Sequence, residues 1–421
     1  MPTVAYLANL FPAASERYVA EEIRELRRRG ITVIAFSVRR VDAEVDADLN
    51  PWISESVYLY PLRLGLILRA ARLCLTKPCR LTKFLRRILF CGKESPGKRV
   101  RALAHTFLGA YFAAVLKKFQ PQHIHVHHGY FGSWIVMVAA QLLGIDFSMT
   151  LHGSDLLQDP AYLDLKLELC RLGVTVSEFN RRYLLANYPH IDPRKIVVQR
   201  LGVDCSLGTE SPVQKRDPDS FVIFTAGRLH EVKDHAFLIR ACRVLKNHGL
   251  KFACLIAGDG PERRSLERGI RERGLENEAQ LLGHISHEHM PAFYEMADLV
   301  VLTSRSEGIP LILMEAMAHE KLALAPNITG IPELVCDGKT GFLYRPGSLQ
   351  DFVAQVEKIH EMRFRLDDVR KAARRCVLED FNQQKNLAAF CDRLIATIAP
   401  YPAGSERLLA QEVSYENPVL Q

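Results

Sequence analysis

Two glutamates in the second half of the chain, Glu307 and Glu315, lie eight residues apart. The apolar stretch 299–303 before them predicts a strand, and Pro310 between them predicts the first turn of a helix. Carboxylates among apolar residues are destabilising unless they accept hydrogen bonds, which the hydroxyls of a polyol ligand could donate. The backbone N–H groups of 309–311 could bind a phosphate. The pattern indicates a ligand site. The alternative is that Glu307 is only an N-terminal helix residue favoured by the helix dipole, and that Glu315 points outward.

Two cations, Arg228 and Lys233, follow another apolar stretch, 221–226, that predicts a strand. Gly227 lets the backbone turn sharply after this strand, and a helix is predicted to begin near Asp234. Cations beside the positive end of a helix suit a diphosphate. The alternative is a surface loop with two solvated charges.

Histidines and aspartates elsewhere in the chain raise the question of a metal site. His152 follows the apolar stretch 146–151 and is predicted to face the ligand crevice, although a single histidine is more often structural. The histidines of 123–128 alternate with apolar residues, which indicates a half-buried strand with its polar residues on one side more than a metal site. Asp46 and Asp48 lie in a polar stretch and are predicted to belong to a solvated loop. We therefore expect no metal.

Short apolar, β-branched stretches alternate with helical patterns along the chain, which predicts an α/β fold with doubly wound parallel sheets. The alternation stops once, at a polar stretch with two prolines, and then resumes. We therefore predict two Rossmann-like domains, whose ligands bind at the carboxyl ends of the strands. The predicted units are a first domain 1–205, a linker 206–220, a second domain 221–378, a helix 379–399 and a disordered tail 400–421.

The composition is typical of a soluble globular protein, since 48% of the 421 residues are hydrophobic and 24% are charged. The ten cysteines include no C-x-x-C pair, which argues against a zinc site or a disulfide framework and fits a reducing cytosol. No signal peptide is expected, and the nearly uncharged stretch 129–145 is too short and mixed to span a bilayer. No G-x-G-x-x-G follows the first predicted strand, which argues against a dinucleotide cofactor. We expect a cytoplasmic protein.

Five segments of the second half match, in order and spacing, the motifs of a known enzyme family. They are G-R-L-H-E-V-K-D at 227–234, I-A-G-D-G-P at 256–261, G-H-I at 283–285, E-G-I-P-L-I-L-M-E at 307–315 and T-G-I-P-E-L-V-C-D-G-K-T-G-F-L at 329–343. Together they resemble the retaining glycosyltransferases of family four, which have an E-x7-E motif. The resemblance implies the GT-B fold, with two domains facing a cleft and a C-terminal helix that crosses back to the first. The F-P-x-x-S-E opening and the H-G-S-D segment resemble the branch that builds exopolysaccharides such as colanic acid.

The resemblance implies a role for each candidate residue. Arg228 and Lys233 would hold the diphosphate of a nucleotide-sugar donor, and Glu315 would accept hydrogen bonds from the ribose. His152, reaching across from the first domain, and Glu307, at the donor sugar, would be the catalytic residues. The remaining donor contacts would be Gly308, Ile309, Pro310 and Leu311 at the sugar and phosphate, and Gly283 and His284 against the base.

The chain departs from the family pattern at two positions. Ala13 and Ala14 stand where many members have two glycines, and Thr329 stands where a glycine often precedes Gly330. The first departure changes the loop that would meet the phosphates or the acceptor.

The resemblance implies transfer of a sugar from a UDP- or GDP-linked donor, with retention of the anomeric configuration and without a metal or other cofactor. Cationic side chains and a helix N-terminus can stabilise a leaving diphosphate unaided. No second carboxylate is evident as a nucleophile, which favours front-face attack, and in the family the leaving phosphate helps to deprotonate the acceptor. The alternatives are a GT-B-fold sugar-nucleotide epimerase, a non-catalytic nucleotide-sugar-binding protein, or a soluble enzyme that makes a small metabolite.

One segment carries most of the positive charge. Residues 63–101 contain twelve Lys and Arg and one acid, Glu94, so this local +11 exceeds the +7 of the whole chain and leaves −4 elsewhere. Leucines and isoleucines are interleaved, which predicts a peripheral contact with an anionic membrane surface and a polyprenyl-linked saccharide acceptor. The alternatives are a solvated helical face or a nucleic-acid patch. No stacking pattern of aromatic residues accompanies the charges, so we expect no nucleic acid as a partner.

Overall fold

The computed structural model describes residues 2–13, 16–40, 46–92, 94–158, 160–205 and 221–398. The predicted linker and the predicted disordered tail lie outside these ranges, as does Ala14.

The first half of the chain forms seven parallel strands, β1 (Thr3–Leu10), β2 (Thr32–Arg39), β3 (Val57–Tyr58), β4 (His123–His127), β5 (Asp146–Leu151), β6 (Leu172–Thr175) and β7 (Ile196–Val198). Their order in the sheet is β3-β2-β1-β4-β5-β6-β7. The chain leaves β1 in one direction for β2 and β3, and then returns to place β4 on the other side. The carboxyl ends of β1 and β4 therefore flank the crevice at which a doubly wound sheet binds its ligand.

Helices cover both faces of this sheet, α1 (Arg17–Arg28), α2 (Asn50–Glu55), α3 (Leu64–Thr76), α4 (Pro78–Phe90), α5 (Pro96–Leu116), α6 (Phe131–Leu143), α7 (Ser154–Leu157), α8 (Leu163–Leu169) and α9 (Glu178–Asn187). Side chains of α3 to α6 fill the core on one face, and those of α1 fill the core on the other. Since both faces are buried, most of the strands consist of nearly continuous apolar residues, which is why the sequence pattern predicted them.

The second half repeats this architecture with six parallel strands, β8 (Phe221–Ala226), β9 (Phe252–Ala257), β10 (Ala279–Gly283), β11 (Leu299–Val301), β12 (Leu322–Pro326) and β13 (Phe342–Tyr344). Their order is β10-β9-β8-β11-β12-β13, so the switch point lies between β8 and β11. The helices are α10 (His235–Asn247), α11 (Arg263–Glu272), α12 (Met290–Met296), α13 (Leu311–Ala318), α14 (Leu349–Met362) and α15 (Asp367–Asp380). The predicted fold class, two Rossmann-like doubly wound sheets, is confirmed.

The last helix, α16 (Gln383–Ile398), crosses back to the first unit as predicted. Its buried residues Phe390, Cys391 and Leu394 join the core beneath α1, and Asp392 forms an ion pair with Arg29. The crossing helix begins four residues later than predicted, because the chain turns at 381–382 after α15. Among the described helices, none has both the length and the apolar character needed to span a membrane.

Strand β4 differs from its predicted environment. All five of its residues are buried, whereas the alternation of histidine with apolar residues predicted a half-buried strand. The face of β4 that carries the histidines lies beneath α16, where the ring centroids of Phe390 and His125 are 5.5 Å apart. Ser148 on β5 contacts both His123 and His125 at 2.7 Å. Polar partners on the neighbouring strand, rather than solvent, satisfy these imidazoles.

Candidate active site

The two units touch through the loops at the carboxyl ends of their sheets. His152 and Gly153 follow β5, and Gly308 follows β11. A Cβ atom added to Gly308 would lie 2.0 Å from the carbonyl oxygen of His152, and one added to Gly153 would lie 2.8 Å from the backbone nitrogen of Gly308. Only glycine allows two backbones to approach so closely. This contact places the first unit's histidine beside the second unit's glutamate loop.

Lys233 and Glu307 come from different loops of the second unit and form an ion pair. The Nζ atom of Lys233 lies 2.6 Å from Oε1 of Glu307, and the side chains are 26% and 11% exposed. The hydroxyl of Thr329 donates to the backbone carbonyl of Glu307 at 2.7 Å, so the residue that departs from the family pattern holds this loop. The resemblance assigned Lys233 and Glu307 to neighbouring parts of the donor, and the structure brings the two side chains together.

Arg228 is exposed directly after β8, on the same loop as Lys233. Its charge acts across the cleft on Glu16, at the start of α1. Burial raises the pKa of Glu16, but the hydrogen bond with His128, the charge of His128 and the charge of Arg228 outweigh burial, so the pKa is lowered overall. Arg228 and Lys233 therefore form a cationic edge of the cleft, which favours an anion there.

Glu315 lies in α13 with its carboxylate in a partly buried position. The hydroxyl of Tyr294 donates to Oε2, and Nε2 of His287 lies 3.9 Å from Oε1. Burial raises the pKa of Glu315, and the hydrogen bond from Tyr294 and the nearby charge of His287 counter this only in part. The protein therefore satisfies one carboxylate oxygen, and the other has no donor within 3.5 Å among the described residues.

The segment 308–311 lies between the paired Glu307 and helix α13. Pro310 precedes the helix, which begins at Leu311, so the prediction that Pro310 forms the first helical turn is wrong by one residue. With φ −77° and ψ 126°, Pro310 is extended, and Ile309 before it is buried. This extended segment carries the backbone of Gly308 against the first unit.

Gly283 ends β10 in the left-handed region, at φ +78°, and His284 after it is exposed. The Nε2 atom of His284 lies 3.3 Å from Oδ1 of Asp46, whose Oδ2 pairs with Arg17 at 2.7 Å. Asp48 also pairs with Arg17. The prediction of a solvated aspartate loop is therefore wrong for Asp46, which is 8% exposed, because Arg17 and His284 hold its carboxylate between the two units.

Several groups of the first unit hold His152 in place. Its backbone N–H donates to Oδ1 of Asp155 at 3.0 Å, and its ring lies between those of Tyr18 and His128, at centroid distances of 4.8 and 4.5 Å. The Nε2 atom lies 3.1 Å from Nδ1 of His127. Burial lowers the pKa of His152 well below its usual range, and the neighbouring His128 lowers it further. The imidazole is therefore neutral near pH 7.

Glu22, His125 and His127 offer ligand atoms that lie within 4.8 Å of one another. All four ring nitrogens already have hydrogen-bond partners. Those of His125 contact Ser148 and Thr150 at 2.7 and 3.1 Å, and those of His127 contact Glu22 at 3.0 Å and the imidazole described above. The group is a satisfied hydrogen-bond network, and its residues do not fit a metal without breaking these bonds.

Glu22 was not singled out in the sequence, and Asp155 was noted only as the last residue of the H-G-S-D segment. Glu22 lies on the buried face of α1 with Val19 and Ile23, so a carboxylate at an apolar helical position was its signal. Asp155 is fully buried and also accepts from the backbone N–H groups of Gly129 and Gly153, at 2.7 and 2.8 Å. It anchors the loop that carries His152.

Two family models match consecutive parts of the chain. The model described as Glycosyltransferase Family 4 matches residues 15–207, and the model described as Glycosyl transferases group 1 matches residues 208–376.

The relatives include curated proteins that are named for exopolysaccharide biosynthesis. The chain is 35% identical over 199 residues to the colanic acid biosynthesis glycosyltransferase WcaL of Salmonella typhimurium. The matched residues cover 46% of this chain and 49% of WcaL. It is 28% identical over 305 residues to the amylovoran biosynthesis glycosyltransferase AmsK of Erwinia amylovora. The matched residues cover 68% of this chain and 74% of AmsK. The chain thus spans about half the length of WcaL and three quarters of AmsK.

The fold is also that of solved structures. HepE of Anabaena in complex with UDP and glucose has a TM-score of 0.66 and 17% identity, over 94% of this chain and 100% of HepE. At this identity the likeness shows the fold alone. The two family models together extend from residue 15 to residue 376, and the chain belongs to the family-four glycosyltransferases with the GT-B fold.

Proposed function

We propose that the chain transfers a sugar from a nucleotide-sugar donor to a saccharide acceptor in exopolysaccharide synthesis. The observation that carries the proposal is the convergence, at the contact between the two units, of the Lys233–Glu307 pair, the exposed Arg228 and the neutral ring of His152. WcaL and AmsK, which are named for exopolysaccharide synthesis, support the choice of pathway. The first unit, 1–205, binds the acceptor and the second, 221–378, binds the donor.

The donor lies along the second unit in this proposal. Arg228 and Lys233 bind its diphosphate, and the free oxygen of Glu315 accepts from the ribose. The base lies against Gly283 and His284, and the backbone of 308–311 meets the sugar and phosphate. Lys233 neutralises part of the charge of Glu307, which allows a carboxylate to sit beside a diphosphate and accept from a sugar hydroxyl.

The reaction proceeds with retention and without a metal or other cofactor. Arg228, Lys233 and the N-terminus of α13 stabilise the leaving diphosphate as charge develops on it. His152 and Glu307 contact the donor sugar from opposite units. The acceptor hydroxyl attacks from the face that the diphosphate leaves, and a phosphate oxygen takes its proton.

An assay with labelled UDP- and GDP-sugars tests this function, after a thermal-shift panel has identified the stabilising nucleoside diphosphate. We expect a glycosylated acceptor with the donor's anomeric configuration by NMR, in the presence of EDTA, and no product with Glu307→Gln. Conversion of the donor into its epimer would support an epimerase instead. Donor binding without turnover would support a binding protein, and a requirement for Mn²⁺ or Mg²⁺ would overturn the metal-free step.

The acceptor is lipid-linked in this proposal, because the first unit presents an apolar and basic surface formed by α3, α4 and the start of α5. Nine of the fourteen exposed large apolar side chains in the described part of the chain lie there, namely Leu64, Leu68, Leu75, Leu85, Leu89, Phe90, Val100, Leu103 and Phe107. Exposed apolar groups beside arginines suit the inner face of a bilayer, where a polyprenyl-linked saccharide would be presented. The protein is then peripheral on the cytoplasmic face.

A further inference from the structure

A chain of hydrogen bonds runs from the interior of the first unit to His152. The hydroxyl of Tyr6 donates to Oε2 of Glu22 at 3.1 Å, and Nε2 of His127 contacts the same oxygen at 3.0 Å. The Nδ1 atom of His127 contacts Nε2 of His152 at 3.1 Å. Tyr6, Glu22 and His127 are each at most 4% exposed. One row of polar groups, of which the first three are buried, is therefore built from four separate segments: β1, α1, β4 and the loop after β5.

The carboxylate of Glu22 and a neutral His127 ring together set the direction of every bond in this row. A carboxylate only accepts, so Tyr6 and Nε2 of His127 both donate to Glu22. With His127 neutral, its ring is protonated at Nε2 and accepts at Nδ1, so His152 must donate from its Nε2 atom. The remaining nitrogen of His152, Nδ1, is left unprotonated.

We propose that Glu22 and His127 are positioning residues that hold His152 as the Nε2–H tautomer, so that its Nδ1 is an acceptor for a sugar hydroxyl. The inference rests on the proposed function for the identity of the ligand. No hydrogen bond to Nδ1 of His152 is found among the residues that the structure describes. The carbonyl of the same residue abuts Gly308, which places the ring at the contact with the donor unit.

The ring has little freedom to choose another orientation. Tyr18 and His128 pack on it from two sides, and Asp155 fixes the backbone on which it is carried. His128, one of these two rings, is itself bound to Glu16 at 3.1 Å. With the orientation set by packing, the position of the proton is the property that Glu22 and His127 decide.

The test is a long-range ¹⁵N–¹H NMR spectrum of the full chain with ¹⁵N-labelled histidine, which identifies the protonated nitrogen of each neutral ring without any substrate. We expect His152 to be protonated at Nε2 in the parent protein. In Glu22→Leu the His127 ring loses its acceptor, and because an orphaned buried N–H is less tolerated than an orphaned acceptor, its proton should move to Nδ1. His152 should then become protonated at Nδ1.

Matched variants separate this role from a structural one. Glu22→Gln keeps an acceptor oxygen and should keep the parent tautomer, and Tyr6→Phe should also keep it, since it removes only the other donor to Glu22. His127→Phe removes the acceptor of His152 itself and should cause the same shift as Glu22→Leu, which covers the case that Glu22→Leu does not fold. His152 protonated at Nδ1 in the parent, or an unchanged tautomer in the folded variants, overturns the proposal.

Kinetics supply the second readout. Transfer turnover should fall about tenfold in Glu22→Leu, the scale of one hydrogen bond, and should recover in Glu22→Gln. The Kd for the nucleoside diphosphate should change less than about twofold, since His152 meets only the sugar. Unchanged turnover with a shifted tautomer would overturn the positioning role. A parent protein with the expected tautomer and no transfer activity would contradict the proposed function and leave the proton arrangement intact.

Discussion

At the scale of single residues, Glu315 is a carboxylate whose burial raises its pKa and whose second oxygen lacks a protein donor. An ionised oxygen accepts a ribose hydroxyl, and a protonated one does so poorly. Nucleoside-diphosphate affinity should therefore weaken as the pH falls through a value above the ordinary Glu pKa of about 4.3. Titration calorimetry from pH 7.5 to 5 measures this decline. Glu315→Gln should bind more weakly at pH 7.5 and show less decline, and parent-like affinity in this variant would exclude the ribose role.

Also at this scale, Arg228 and Lys233 should contribute unequally to nucleoside-diphosphate binding, because Lys233 also forms an ion pair with Glu307. Arg228→Ala should weaken nucleoside-diphosphate binding by roughly 1.5–3 kcal/mol, the loss of a charge-assisted hydrogen bond. Lys233→Ala should weaken it more, because it also leaves Glu307 unpaired beside the phosphates. The double variant Lys233→Ala with Glu307→Gln should recover part of the loss in calorimetry. Equal effects of the two single substitutions, without recovery, would remove the pair from the phosphate site.

At the scale of elements, the two units are joined by a helix cap that crosses between them. Oε2 and Oε1 of Glu333 accept from the backbone N–H groups of Glu178 and Phe179, at 3.0 and 2.7 Å, at the start of α9. Glu333→Ala should lower the unfolding free energy by about 0.5–2 kcal/mol, the range of a lost cap, and should let the units separate. The matched control is Ser177→Ala, which removes the cap that α9 receives from its own unit at 3.1 Å. Thermal unfolding and the radius of gyration by X-ray scattering measure both effects, and a larger radius is expected only for Glu333→Ala.

The elements themselves were largely predictable, since buried parallel strands are short apolar stretches whatever lies around them. What those strands contact was harder to predict. The histidines of β4 alternate with apolar residues as a half-buried strand does, and only the return of α16 after more than 250 residues buries them. Glu22 and His127 are 105 residues apart, and Asp46 and His284 are 238 apart. Local periodicity carries no information on such pairs, so the sequence could predict which loops follow the strands but not which ion pairs those loops form.

At the scale of the whole molecule, exposed basic and exposed apolar side chains are concentrated in the same three helices of the first unit, α3, α4 and α5. The twelve basic residues of 63–101 are not equivalent there. Arg87 is bound to Glu94 and Asp164, at 2.7 and 3.0 Å, and Lys83 to Glu168 at 2.8 Å, so these cations support the helices. Six exposed arginines of 63–101 have no ion-pair partner among the described residues, namely Arg63, Arg69, Arg72, Arg80, Arg86 and Arg101. Those on α3 and α4 include Arg69, Arg72 and Arg86.

Those three arginines should decide whether the protein binds a membrane. Each cation near an anionic surface contributes on the order of 1 kcal/mol, and salt screens it, while the exposed leucines add apolar burial. The parent should sediment with anionic liposomes, not with neutral ones, and should dissociate at high salt. The triple change Arg69, Arg72 and Arg86 to Gln should weaken this binding by roughly two orders of magnitude, since 3 kcal/mol is about a hundredfold.

The control removes the same charge from the other unit. Arg264, Arg268 and Arg271 are exposed on α11 of the second unit, and changing them to Gln should leave sedimentation unchanged. Nucleotide titration run beside the liposomes should give parent-like donor affinity for the first triple variant, because its arginines lie far from the β8 and β11 loops. If both triple variants sediment like the parent, the surface of α3, α4 and α5 is only solvated, and the lipid-linked acceptor loses its support. If both lose binding equally, net charge rather than this surface attracts the membrane.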